Sequence, residues 1–460
     1  MNLAYFYPVI FWNTANLIVD SGADYKLTID DDDEEEETVE SETVDEYEAA
    51  KEDSEEEKKG SSSKYGKIAS AIGRMQQIGI QVLPPDINES QYTYTPNVAN
   101  NTIRYGLTGI VKVGSALVNE ILKNRPYADF ADFQKKVKTN VTQMISLIKC
   151  GAFDSFGNRE QIMYDYLFSI SDTKNNLTLQ NANMLIQRGL IPDTFEFEKK
   201  VFNFNKYLKK FKNKQTNLIE LDETAMAFYE KHFNMDVLKV IDGVSYINAD
   251  TWKATYDSHM LKIKNYIVAN KSDLLKRVNE IAMEDVTNKY AQGNLMKWSM
   301  DSVCFYQDGH ELDMVDLGAY DIVDFNDLSQ EPEVDRTFPT KDGSIVTLYK
   351  LCQIAGTVID KDKNKSQITL LTTSGVVTVQ AYGVFAQYDK QVREMGEDGK
   401  MHVVEKSMFT RGNKIIVHGM RRGPSTFVAK KYKNHTDKHH FVQIVDINDD
   451  GMMTLKEKEF

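Results

Sequence analysis

At 460 residues the chain is long enough for several domains, each with its own buried core. No run of eighteen apolar residues occurs, the apolar stretch 7–19 is short and lacks a basic lead-in, and Cys150, Cys304 and Cys352 have no paired spacing. These features argue against a membrane span, a signal peptide and a disulfide framework, and a cytoplasmic, reduced setting is expected. The net charge of −14 is concentrated in one place: residues 30–59 hold eighteen acids against three lysines, a local −15, which leaves the rest of the chain at +1. The acidic total therefore does not exclude a nucleic-acid partner.

In chain order, residues 1–24 read as a short half-buried helix rich in aromatics, with Tyr5, Phe6, Tyr7, Phe11 and Trp12. Residues 25–64 are low-complexity, an acidic block followed by Gly60-Ser61-Ser62-Ser63; like charge at this density cannot bury enough apolar surface to offset chain entropy, so disorder is expected. Residues 65–102 resume with a helix over 67–78 and the extended Val82-Leu83-Pro84-Pro85. Residues 103–167 are predicted helical with glycine punctuation, and 168–335 helical throughout, with apolar residues recurring at three and four (Leu261, Ile263, Ile267; Leu274, Leu275, Val278, Ile281). Period two takes over in 336–447. Strands are predicted at 354–359, 367–371, 376–381, 414–420, 426–433 and 441–445, with a helical piece near 384–391. Residues 448–460 are read as a tail. The fold class expected is multidomain α+β, mostly helical in its N-terminal and middle regions, with a C-terminal OB-type β-barrel.

Two constellations point to DNA. Lys112-Val113-Gly114-Ser115 forms a tight glycine turn entering a helix, the pattern of a helix-hairpin-helix unit: Gly114 lets backbone approach a phosphate, unpaired N–H groups at the helix start face it, and Lys112 adds charge. A second candidate follows at Gly151 and Gly157, where Asn158 and Arg159 open the next helix; glycine between helices is also an ordinary C-cap. The other constellation is the predicted barrel. Between Glu405 and His440 lie nine basic residues against two acids, and single-strand binding is assigned to Lys406, Arg411, Lys414, Arg421, Arg422, Lys430, Lys431 and Lys433 with the rings of Phe427 and Tyr432. A structural barrel with a solvated basic edge accounts for the same residues. His435 and His439 have i, i+4 spacing but no cysteine or carboxylate beside them, so no metal site is assigned. No inward-facing carboxylate pair, Walker loop, GxSxG or HExxH occurs, and no catalytic residue is assigned.

Several stretches carry a family resemblance. Gly79-Ile80-Gln81-Val82-Leu83-Pro84-Pro85-Asp86-Ile87-Asn88-Glu89-Ser90 resembles the "GI-x-VLPPDINxS" signature of bacterial and phage DNA polymerase III alpha subunits, late in their fingers region. Ile103-Arg104-Tyr105-Gly106-Leu107, running on to Gly114, is similar to the element that follows it in the family. Leu147 to Arg159, with Gly151-Ala152-Phe153-Asp154, resembles "LI-x-x-GAFD-x-x-G-x-R". Phe305-Tyr306, Gly309-His310 and Leu312 resemble "LGFYLSGHPLD", with Glu311 in place of its proline, and Ala4 to Phe11 resembles the helix leaving the fingers.

The resemblance implies the C-terminal part of a C-family replicative polymerase: a fingers remnant, a tandem helix-hairpin-helix domain on duplex DNA and an OB domain on single-stranded template. It further implies no cofactor on this chain, with Mg2+ on a separate N-terminal polymerase chain holding the palm, and no membrane partner. A sliding clamp is a candidate partner through Gln215, Leu218 and Ile219, a clamp-binding pentapeptide that lacks its final aromatic. The acidic block and much of 168–295 have no counterpart in the family pattern. A stand-alone, non-catalytic single-strand-binding replication accessory protein is the alternative to a split polymerase.

Overall fold

The computed structural model describes residues 8–20, 64–213, 215–307, 309–395, 401–433 and 439–458. Tyr5–Tyr7, nearly all of the acidic stretch, His435 and Lys438 lie outside the described residues. The chain divides into two units. One comprises residues 1–164 and 293–460, the other 165–292.

The first unit opens with α1 (Val9–Asp20), whose Ile10, Thr14 and Leu17 repeat at four and three and point inward. Helix α2 (Lys64–Gln77) buries Tyr65, Ile68, Ala69, Ile72 and Met75, too wide a set for a single face. It packs on α1 and on the C-terminal barrel. Three short strands follow, β1 (Gln81–Leu83), β2 (Thr95–Asn97) and β3 (Thr102–Arg104), in the order β1-β3-β2, so the region expected to be helical is mixed. Helices α3 (Ser115–Lys123), α4 (Phe130–Lys136), α5 (Val141–Lys149) and α6 (Arg159–Ile170) complete this stretch.

The second unit departs from the all-helical expectation. Helices α7 (Ala182–Gln187) and α8 (Glu196–Leu208) precede a four-stranded antiparallel sheet, β4 (Lys212–Asn213), β5 (Leu218–Leu221), β6 (Lys239–Ile241) and β7 (Val244–Asn248), ordered β4-β5-β7-β6 and interrupted by α9 (Glu223–His232). Asp242-Gly243 joins β6 to β7 with positive φ at both residues, the two-residue turn that suits the twist of paired strands. Helices α10 (Ala249–Ala269) and α11 (Lys271–Tyr290) close a core with Phe204, Ile219, Tyr229, Trp252, Ile263 and Val278.

Returning to the first unit, α12 (Leu295–Val303) leads to a hairpin of β8 (Val334–Pro339) and β9 (Ile345–Tyr349). A seven-stranded sheet follows, built from β10 (Cys352–Asp362), β11 (Gln367–Thr372), β12 (Gly375–Gln380), β15 (Lys414–Arg421), β16 (Thr426–Ala429), β17 (Phe441–Ile447) and β18 (Met453–Lys456). Helix α13 (Phe385–Asp389) and the hairpin β13 (Val392–Met395) and β14 (Met401–Glu405) lie between β12 and β15 in sequence. Strands β10-β11-β12-β16-β15 pair in that order, and β15 pairs back onto β10 from Cys352↔Gly419 to Thr357↔Lys414, closing a five-stranded barrel. Only β12 and β16 are parallel within it. Alternation puts Ile354, Val358, Ile368, Leu370, Val377, Val379, Ile415, Val417 and Phe427 inside. The stretch expected to be a tail carries β18, paired to β17.

Candidate nucleic-acid interface

The glycine turn before α3 is held from behind. Tyr105, fully buried, donates its hydroxyl toward Gly109 O (2.9 Å) and Val303 O (3.1 Å), while the Val111 N–H donates to Ser302 O at 2.8 Å. Burial holds the Tyr105 phenol far above its ordinary range, so it stays a donor. The polar signature upstream is part of the same frame. Asp86 Oδ1 accepts the N–H groups of Asn88 and Glu89, the Asn88 carboxamide clamps both backbone groups of Tyr127, and Arg125 donates to Ile87 O at 2.7 Å. Pro84-Pro85-Asp86-Ile87-Asn88 therefore braces the helices that carry the turn.

Within the turn, Lys112 takes φ +67 and is exposed. Val113 is buried, and its N–H donates to Ile110 O, so it anchors the turn and offers no contact of its own. Gly114 is the N-cap of α3 and no side chain caps it. Ser115 and Ala116 are exposed there, and N–H groups of a first turn have no intrahelical acceptor. This is the geometry of an anion cradle at the positive end of a helix.

The second glycine pair is built differently. After α5, the Gly151 N–H donates to Ile148 O and the Ala152 N–H to Leu147 O, a helix-ending motif that needs the left-handed φ of +81 at Gly151. A Cβ at Gly151 would also come within 2.3 Å of Arg159 Nη2. Arg159 is only 8% exposed; it grips Asp154, reaches Lys149 O (3.3 Å) and meets Gln307 Oε1 (3.2 Å). Asn158 caps α6 by accepting the Gln161 N–H at 2.9 Å. Gly151 and Arg159, expected to face DNA, are thus buried in a helix end and a clasp, whereas Gly157 and the capping Asn158 are exposed.

Burial also sorts the barrel residues. Arg421 is 7% exposed and donates to Phe325 O (2.9 Å), Leu328 O (2.7 Å), Gly423 O (2.9 Å) and Pro424 O (2.8 Å), with its guanidinium over the Phe325 ring. Lys414 forms a buried ion pair with Glu311 at 3.0 Å. Phe427 lies inside the barrel core. Arg421 and Phe427 are enclosed by these partners, unlike the exposed contacts expected of them, while Lys414 keeps 12% of its side chain exposed beside Glu311. Arg411 stacks over the Tyr65 ring of α2 at 4.9 Å. Lys406, Arg422 and Lys433 are exposed, and Lys430, Lys431 and Tyr432 half-buried.

Three of the latter form one assembly with a residue that sequence reasoning missed. The Tyr432 hydroxyl accepts the Tyr349 N–H (2.7 Å) and donates to Tyr349 O (3.1 Å); Arg422 lies 5.3 Å over the Tyr349 ring and Lys430 Nζ 5.4 Å from the Tyr432 ring. Tyr349 ends a strand ahead of the barrel, 83 residues from Tyr432 in sequence, so no local pattern joins them.

The second half of the clamp candidate is part of a paired strand. Gln215 is exposed in the β4–β5 turn, Leu218 begins β5, and Ile219 is 4% exposed in the core of the second unit. Among the described residues no three His, Cys, Asp or Glu side chains gather to hold a metal ion, and no helix is long and apolar enough to cross a membrane.

Comparison with known proteins gives the same reading. Residues 79–162, which contain the braced turn, match the family model of the helix-hairpin-helix motif. The whole chain is 38% identical over 470 residues to the probable DNA polymerase YorL of Bacillus subtilis strain 168 and, equally, to the DNA-directed DNA polymerase of Bacillus phage SPbeta, covering 34% of each. The DNA polymerase III subunit alpha of Borreliella burgdorferi is 29% identical over 228 residues, 46% of this chain and 19% of that protein. The chain is thus similar over its whole length to part of a DNA polymerase of a bacillus and of its phage, and over shorter stretches to bacterial DNA polymerase III alpha subunits. It spans about a third of the length of the bacillus and phage polymerases.

Proposed function

We propose that this chain is the DNA-handling section of a C-family replicative polymerase, gripping duplex product with the turn at Lys112-Val113-Gly114-Ser115 and single-stranded template with the barrel. The observation that carries the reading is the uncapped start of α3 inside the segment matched to a helix-hairpin-helix. The strand order of the barrel, with its parallel β12–β16 pair and a helix before β15, supports the OB-type assignment. Template-directed synthesis with Mg2+ is assigned to palm carboxylates outside these 460 residues, on a separate chain that docks here, in the bacterial cytoplasm. A sliding clamp belongs to the same assembly only if it uses a surface other than Ile219, which the core of the second unit holds.

Primer extension tests this. The chain alone binds a primed template and adds no nucleotide; with the palm-bearing polypeptide and Mg2+ it extends the primer. Extension by the chain alone would overturn the split arrangement. Absence of any effect of the chain on extension by its partner would leave the accessory-protein reading instead.

A further inference from the structure

We infer that single-stranded nucleic acid crosses the barrel over a platform of Tyr349, Tyr432, Arg422 and Lys430, and not over the outer face of β11 and β12, which α2 occupies. The inference rests on the reading of the barrel as a single-strand binder and adds the path of the strand. In five-stranded barrels of this order the second and third strands are the usual oligonucleotide face. Here those strands are β11 and β12, and their inward residues Ile368, Leu370, Val377 and Val379 fill the core.

Alternation turns Leu371 and Val376 outward, yet they are only 7% and 5% exposed. Helix α2 covers them. A Cβ at Gly73 would stand 2.3 Å from Val376 Cγ2 and 3.4 Å from Leu371 Cδ1, so the helix backbone lies directly on the strands. Gln77 extends the contact by donating to Ser374 O in the β11–β12 turn. What remains of that face is a groove of about 310 Å³ between α2 and the strands, where Gln367, Thr369 and Thr378 sit. Its cations Lys67, Arg74 and Lys365 are matched by Asp20, Asp360 and Asp362, and among the described residues no aromatic ring lines it. It offers neither net positive charge nor a stacking surface.

The platform offers both. Two rings are locked together through the Tyr432 hydroxyl and the Tyr349 backbone, and a cation lies over each. The acids flanking Val334, the strand partner of Tyr349, are both engaged, Glu333 by Lys350 at 2.8 Å and Asp335 by Arg336 at 3.3 Å. A base entering between Arg422 and Tyr349 exchanges one stacked contact for two, while Lys430 and the neighbouring Lys431 and Lys433 follow the phosphates.

The test is fluorescence anisotropy of a labelled oligothymidylate of about twenty nucleotides, longer than a single barrel's site, titrated with the full chain. Tyr349→Leu removes a ring while keeping the backbone bonds to Tyr432; Arg422→Glu with Lys430→Glu reverses charge at accessible positions. Each is expected to weaken binding about tenfold or more with an unchanged thermal midpoint, whereas Lys67→Glu with Arg74→Glu, in the groove under α2, stays within about twofold. Crosslinks from a 5-iodouracil-substituted strand should fall on Tyr349 or Tyr432. Platform variants that bind like the unaltered chain, or crosslinks within 367–380, overturn the path and leave single-strand binding standing. An unaltered chain that does not bind oligothymidylate overturns the underlying reading of the barrel.

Discussion

An arginine and a lysine that look alike in the sequence differ in what surrounds them. Arg159 lies in a buried clasp and Lys112 at an exposed turn, so their substitutions should separate stability from binding. Arg159→Ala leaves the Asp154 carboxylate and two acceptors without their donor; a loss of about 2–4 kcal/mol is expected, below the range for a fully buried pair because Asp154 is partly solvated. Thermal denaturation reads this, and the DNA affinity of the folded fraction should not change. Lys112→Ala should leave the midpoint alone, weaken duplex binding and lower the slope of log affinity against log salt by about one. A stability loss at Lys112 and none at Arg159 would reverse both assignments.

At the same scale, His310 explains the Phe305-Tyr306 and Gly309-His310 element. Its Nδ1 accepts the Leu312 N–H (3.0 Å) and its Nε2 meets Leu371 O (2.9 Å), an arrangement that requires the neutral ring. Glu311, Lys414 and Tyr306 surround it through Thr357, and Asp313 bonds its backbone. Burial lowers its pKa below the ordinary 6.5, as it does for the half-buried His440. The unfolded chain then binds protons first as pH falls, so stability is complete above about 6.5 and declines below it. Urea midpoints should fall between about pH 7.5 and pH 5.5, and part of that fall should vanish in His310→Leu. A midpoint independent of pH over this window would contradict the neutral clamp.

Among the elements, β5 gives the clearest contrast between a recognition peptide and a folded strand. Ile219→Ala empties a core position and should cost about 2–5 kcal/mol, read as a lowered urea midpoint of the second unit, while Gln215→Ala in the exposed turn should be nearly neutral. Equal, small effects would return the segment to the status of an accessible clamp motif. The same contrast explains what was legible beforehand. The barrel strands could be read from period two because they are long and bury one face; 367–371 and 441–445 fall inside β11 and β17. The sheet of the second unit could not, since its strands are two to five residues long and β6 buries nothing. Its one local signal was Asp242-Gly243 between Val240-Ile241 and Val244. The site was half legible: composition located Lys112, Arg422 and Tyr432, but burial of Arg421 under Phe325 and of Lys414 against Glu311 depends on partners about a hundred residues away.

For the whole molecule, charge is distributed along the chain far less evenly than function. Residues 30–59 carry −15 and the remainder +1, so long-range repulsion from DNA comes from one segment while the candidate contacts sit elsewhere. Two ranges of interaction follow. Stacking at the Tyr349 platform depends little on salt and each phosphate contact at the α3 turn weakens by counterion release whether or not the acidic stretch is present, whereas the field of that stretch decays over a Debye length, about 10 Å at 0.1 M salt and about 30 Å at 0.01 M. Deleting 30–59 should therefore raise duplex and single-strand affinity at low ionic strength, chiefly through faster association, and the advantage should close as salt approaches about 0.15 M. Stopped-flow association and equilibrium titration across that salt range, with and without the deletion, measure it. An affinity gain that persists undiminished at high salt would mean that the acidic residues compete at the contact surface itself, and no gain at low salt would mean that their field does not reach the DNA.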